Sequence, residues 1–291
     1  MSFMSIQIRR LAPIFGIVFL SAGFLACPVS HAASTPEVAG KVNKLIDAAG
    51  IAHSVRQIQP GIVSAFDEPQ EGLPENVRRA LREAASEAFR PDPIIEKVRA
   101  RLGTALTVRH LDDALVWLES PIGRRITDLE NATAEPAASA RIEAYARELE
   151  KRPPTKSRSE LVAKLMVATG SSEFGAVMVE SMVLASALGI NAAHPVQQQE
   201  PIERLRQRVK ATIPPLRKQS DEILTLSMLY TYRSLSDQDL NSYLKFLNSA
   251  SGSAYTKGAL AGLREGMLEA MARYTQAIPK AVVKEGRSVE T

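Results

Sequence analysis

The stretch Leu115 to Ile126 reads LVWLESPIGRRI, and near residue 250 the chain reads LKFLNSASGSAY, with apolar and polar types in nearly the same order. In the first copy Leu111, Leu115 and Leu118 share one helical face, and Ser120 followed by Pro121 is a cap and first-turn pair for a new helix. Gly123 lets a neighbouring backbone come close without a Cβ in the way. The second copy repeats the face with Leu240, Leu244 and Leu247, the cap with Ser249 and the glycine with Gly252, while Ala250 replaces the proline. Trp117 and Phe246 are the matching aromatics. Such a phrase describes a corner between two helices. A chain that spells it twice, 129 residues apart, is constrained to build that corner twice.

The rest of the chain follows helical grammar. Thr35 and Pro36 open a segment in which Val38, Val42, Leu45, Ile46 and Ala49 recur at helical spacing up to Gly50. Leu73-Pro74-Glu75 opens another, and Asp92-Pro93 a third. No alternating run is bounded by hairpin signals, and the aromatic fraction is only 5%, which favours helices over a β-sandwich. The predicted fold is all-α. A second internal match, Val42 and Leu45 with Gly50 against Val162 and Leu165 with Gly170, has an offset of 120. The nine-residue difference is placed in a loop between Leu188 and Ile202. The expected organisation is two tandem helical-bundle modules related by an internal duplication, over residues 35–150 and 160–280. A proline- and hydroxyl-rich linker at 151–159 joins them, and a disordered tail follows at 281–291. Chance similarity of amphipathic helices is the competing reading.

Residues 1–32 read as an export signal: Arg9 and Arg10 precede an apolar run from Leu11 to Ala26, and cleavage is expected between Ala32 and Ala33. Sixteen apolar residues broken by Pro13, Gly16 and Gly23 fall short of the roughly 20 that span a bilayer. Cys27, the single cysteine, stands where a lipidated cysteine would stand, although Phe24 and Leu25 fit that signal poorly. Cleavage after Ala32 leaves a mature chain without cysteine, suited to a periplasmic or secreted location. It also leaves a net charge of +2, which gives no reason to expect nucleic acid as a partner.

The corner phrases carry a family resemblance. Leu235-Ser236-Asp237-Gln238-Asp239-Leu240 with Phe246, Leu247, Ser249 and Gly252, and Trp117, Leu118, Ser120, Pro121 and Gly123 in the first half, resemble the bacterial domain of unknown function 2059 family. The resemblance implies an exported all-helical protein, and no catalytic residues come with it.

Candidate chemistry is thin. His53, His110 and His194 have no partner at metal-ligand spacing, so no metal, cofactor or catalytic residue is expected. Asp112 and Asp113 read as complements to the dipole of a helix starting just after His110, and with Glu119 they are the carboxylates a hydrolase reading would use. The apolar run Ala176 to Leu188 contains Glu180, Met178 and Met182 and reads as a buried helix, with a ligand or lipid groove as the alternative. Arg204, Arg206, Arg208 and Lys210 read as a solvated helix face. Ala254, Gly258, Gly262, Gly266 and Ala270, at steps of four, make a nearly side-chain-free stripe for close packing with a helix of the same chain or of a second subunit. The expected function is a non-enzymatic protein-interaction or structural module of the envelope, partnered by another envelope protein or by itself. A small-ligand or lipid binder is the alternative, and a hydrolase the less favoured one. Membrane association is expected only with a lipidated Cys27 or a retained signal.

Overall fold

The computed structural model describes residues 35–67, 74–194 and 196–289. Among them the chain forms twelve α-helices, one short 3-10 turn and no strand, in keeping with the all-α expectation. The first half holds α1 (Pro36–Ala48), α2 (Ile51–Ser64), α3 (Glu75–Ala88), α4 (Pro91–Ala105), α5 (Val108–Leu118), α6 (Pro121–Ala134) and α7 (Ala138–Lys151). The second holds α8 (Lys156–Thr169), α9 (Ser171–Ala193), α10 (Ile202–Thr231), α11 (Asp237–Leu247) and α12 (Ala250–Val289). The expected signal, Cys27 and the cleavage residues Ala32 and Ala33 lie outside the described residues.

Local chemistry explains the helix ends. The Thr35 hydroxyl accepts from the Val38 amide at the start of α1, and the Thr155 hydroxyl accepts from the Arg158 amide at the start of α8. The match at offset 120 therefore extends to the caps. Gly50 and Gly170, which end those two helices, are the described residues with positive φ, at 64° and 58°. Each turns the chain directly into the next helix in a left-handed conformation that glycine adopts without a Cβ penalty.

Several boundaries differ from the expectation. Thr107, not a residue after His110, caps α5, so His110 lies in its first turn and Asp112 and Asp113 fall beyond the reach of a first-turn dipole. The loop expected from Leu188 begins only after Ala193, because Gly189 is buried against Ile278, where an added Cβ would come within 2.8 Å of the Ile278 Cβ. The linker contracts to the few residues between Lys151 and Lys156, since Thr155 supplies a cap. α12 continues to Val289 into the stretch predicted to be a disordered tail, because Ala281 is buried and Val282 packs on the core. Residues 290 and 291 lie outside the described residues.

The two halves share one hydrophobic core, which runs from Val42 to Ala281 and draws on both. The reason is the path of the last helices. α12 lies along α3 and α4 of the first half, while α6 and α7 of the first half rest on α10 of the second. Residues 151–159 thus divide the sequence without dividing the packing.

Candidate functional site

The repeated phrase builds the same corner twice. The Ser120 hydroxyl donates to the Trp117 carbonyl at 2.6 Å and accepts from the Gly123 amide at 3.1 Å. The Ser249 hydroxyl donates to the Phe246 carbonyl at 2.7 Å and accepts from the Gly252 amide at 3.0 Å. Each carbonyl also accepts from the serine's own amide, so one serine ties off the last turn of the helix that ends while its hydroxyl caps a free amide of the helix that begins. A Cβ on either glycine would fall onto the aromatic residue's carbonyl oxygen. The two aromatics meet: the Trp117 and Phe246 rings stack with centroids 5.0 Å apart and planes at 11°. The corners are built around a shared contact between the halves.

Beside this stack lies a carboxyl group that sequence reading missed. Glu130 of α6 is partly buried, and its Oε1 accepts from the Tyr232 hydroxyl at 2.6 Å and from the Tyr243 hydroxyl at 3.1 Å. Tyr232 is 1% exposed, which makes it one of the largest fully buried side chains. Tyr243 stands edge-on to Tyr232 and stacks on Trp117, and Phe246 leans on Tyr255. Burial raises the Glu130 carboxyl from its ordinary value to about 7, against the opposing pull of the two phenols that donate to it. Burial, with the nearby Glu130 charge, also pushes the Tyr232 and Tyr243 hydroxyls well above their usual range. Sequence offered one faint signal: in LYTYR, Tyr232 is two residues from Tyr230, so the two rings face different ways where α10 ends. Tyr230 instead joins Ala138 and Ile142 under α7, with the Arg233 guanidinium 3.7 Å from its ring centre.

The carboxylates at the first corner are tied to different partners. Asp112 takes an ion pair with Lys41 of α1 at 2.5 Å, Asp113 accepts from the Ser251 hydroxyl at 2.8 Å, and Glu119 pairs with Lys44 at 2.8 Å. They act as ties between elements, and nothing gathers them around a common point. His53 lies 3.0 Å from Glu135, and His194 ends α9 with its Nδ1 at the Ile190 carbonyl. Among the described residues no three His, Cys, Asp or Glu side chains group closely enough to hold a metal.

The small-residue stripe finds its partner within the chain. Gly258, Gly262 and Gly266 descend α12 against Leu102 and Ala105, then Val98, then Ile94, so α4 runs antiparallel to it at backbone distance. Ala270 is fully buried and Ala254 partly so. Lys97 with Glu265 and Glu269, and Arg101 with Glu265, flank the seam at 2.6–3.1 Å. These pairs are partly exposed, and they set register more than stability. A half-open groove of about 290 Å³ lies further along α12 against α3, rimmed by Glu83, Glu87, Arg90, Arg273, Gln276 and Lys280. The Arg273 guanidinium is held by the Ala88 carbonyl at the end of α3.

The expected burial of the 176–188 helix is met on one side only. α9 packs on α12 and α10, with Phe174, Met178 and Ala185 buried. Val177, Val179, Met182, Val183, Leu184 and Leu188 are only half-buried. α10 returns antiparallel to it, tied by Asn191 to Glu200 at one end and by Arg217 to Glu180 further along. Arg204, Arg206, Arg208 and Lys210 stand exposed on α10, while Leu205 and Val209 are buried. No family model, curated protein or solved structure matches the chain.

Proposed function

We propose that this chain is an exported, non-enzymatic helical module of the cell envelope that works by holding another envelope protein or a second copy of itself, through the outer side of the α9–α10 hairpin. One observation carries the reading. α9 is apolar enough over Ser171–Ala192 to cross a bilayer by length and composition, yet only 28% of an 18-residue apolar stretch within it is buried by the rest of the chain. Partly covered apolar surface of this extent is what interaction sites leave open. The corner phrases and their resemblance to the domain of unknown function 2059 family, together with the export pattern at residues 1–32, complete the proposal, as does descent of the two halves from one duplicated module.

The same helix gives the lipid-binding alternative its one specific support, because a bilayer interface would also cover it. Two measurements separate the readings. A photo-crosslinking side chain at Val183 or Leu184 of the full chain in cells is expected to give one defined protein adduct; a lipid adduct alone moves the reading to the alternative, and no adduct at either position overturns both. Mass spectrometry of the purified mature protein is expected to place its N-terminus at Ala33, and a diacylated N-terminal Cys27 would replace free export with anchoring.

A further inference from the structure

The Glu130 cluster is placed where the halves meet. Glu130 belongs to the first half, while both hydroxyls that donate to it come from the second: Tyr232 just beyond the end of α10, and Tyr243 in α11. A third phenol, Tyr255 of α12, is close enough to feel its charge. Among the described residues no cation pairs with the carboxyl; burial and the two phenols are what act on it. Several charged groups of the neighbouring elements have partners of their own: Arg158 of α8 donates to the Tyr232 and Leu235 carbonyls and pairs with Asp237. On α6 itself Arg125 donates to the Ser234 carbonyl, and on α2 His53 meets Glu135. On α7 Arg141 binds the Tyr230 hydroxyl and the Ala132 carbonyl, beyond α10 Arg233 covers the Tyr230 ring, and beyond α5 Glu119 pairs with Lys44.

A partly buried carboxyl with no countercharge beside it is more at ease carrying a proton than the same group in water. We propose that Glu130 is a proton-operated clasp between the two halves: protonated, it lets the α10–α11 corner seat firmly on α6, and ionised, it loosens that seat without unfolding the chain. The sign follows from linkage. The folded-state value of about 7 lies above the ordinary 4.5, so the native state holds this proton more tightly than the unfolded chain does. The site's contribution to stability is fully present below about 4.5 and is lost as pH rises through about 7. The clasp stands apart from the partner reading above, since it requires no occupant on α9.

Hydrogen exchange of the full chain tests it. After correction for intrinsic exchange, amides of residues 228–247 are expected to lose protection by about ten-fold or more between pH 5.5 and pH 8.5 in the wild type, with little change in α4. Glu130→Gln, neutral and of the same shape, is expected to hold the low-pH protection across the range. The histidines remain in the variant, so this comparison isolates Glu130 from them. A carboxyl carbon titration by NMR on the wild type supplies the second readout, with a midpoint near 7 expected for Glu130. Tyr243→Phe, which removes a donor to the carboxylate, is expected to move that midpoint up. An ordinary carboxylate midpoint, or an unchanged pH dependence of exchange in Glu130→Gln, would overturn the proposal.

Discussion

Replacing Gly262 by leucine is expected to cost at least about 4 kcal/mol of stability, large enough to leave little folded protein. The cause is backbone. A Cβ at position 262 would lie 2.7 Å from the Lys97 carbonyl oxygen and 2.8 Å from the Val98 amide nitrogen, and even closer to the Val98 Cα. None of these atoms can rotate away, so α12 must lift from α4 along their whole contact. Against this, the higher helix propensity of leucine returns less than about 1 kcal/mol. Gly258 provides the internal control: its added Cβ would meet the Ala105 Cβ at 3.1 Å and a leucine methyl at 3.4 Å, contacts that give by a few tenths of an ångström. Gly258→Ala is therefore expected to stay within about 1 kcal/mol of wild type. Thermal denaturation of the purified proteins decides it. A chain of this size loses about 2–4 °C per kcal/mol, so Gly262→Leu should melt at least about 8 °C lower, if it folds. An unchanged melting temperature would mean that α12 does not lie on α4.

Much of this architecture is written in local signals. Thr35, Thr155, Ser120, Ser236 and Ser249 stand at helix starts, and Gly50 and Gly170 at the left-handed turns, because capping and positive φ are decided by one or two residues at a time. The stripe from Ala254 to Ala270 is legible for a similar reason: a step of four is a property of one helix. What covers the stripe is not local. Nothing in the spelling of Ile94, Val98 and Leu102 marks them as the surface that receives glycine from a helix about 165 residues away, so the sharing of one core between halves stayed hidden. The Glu130 cluster was hidden for a related reason. A carboxylate in an exposed-looking helix, ATAEPA following ITDLEN, spells an ordinary solvated residue until the phenols of α10 and α11 close over it. Asp112 and Asp113 show the reverse case: a plausible local role at a helix start gave way to ties with Lys41 and Ser251, because the cap was three residues earlier at Thr107.

The corner glycines give the second large effect. Gly123→Ala and Gly252→Ala are each expected to lose about 2–4 kcal/mol, and by similar amounts. Alanine in the first turn of a helix normally gains up to about 1 kcal/mol over glycine, so propensity alone predicts stabilisation at both sites. Geometry opposes it. The new methyl would land on the carbonyl oxygen of Trp117 in one corner and of Phe246 in the other, and those carbonyls are fixed because Ser120 and Ser249 already donate to them. Relieving the clash means opening the turn, which strands the serine's two hydrogen bonds and pulls apart the Trp117–Phe246 stack. Because the rings of the two corners touch, the losses should not add. The double variant is expected to fall short of the sum by about 0.5–1.5 kcal/mol, the coupling an aromatic pair supplies. Urea denaturation of the four proteins measures both the size and the coupling. Stabilisation in either single variant would show that the repeated glycine does not hold a tight corner. Strict additivity would show that the two corners stand independently despite their contact.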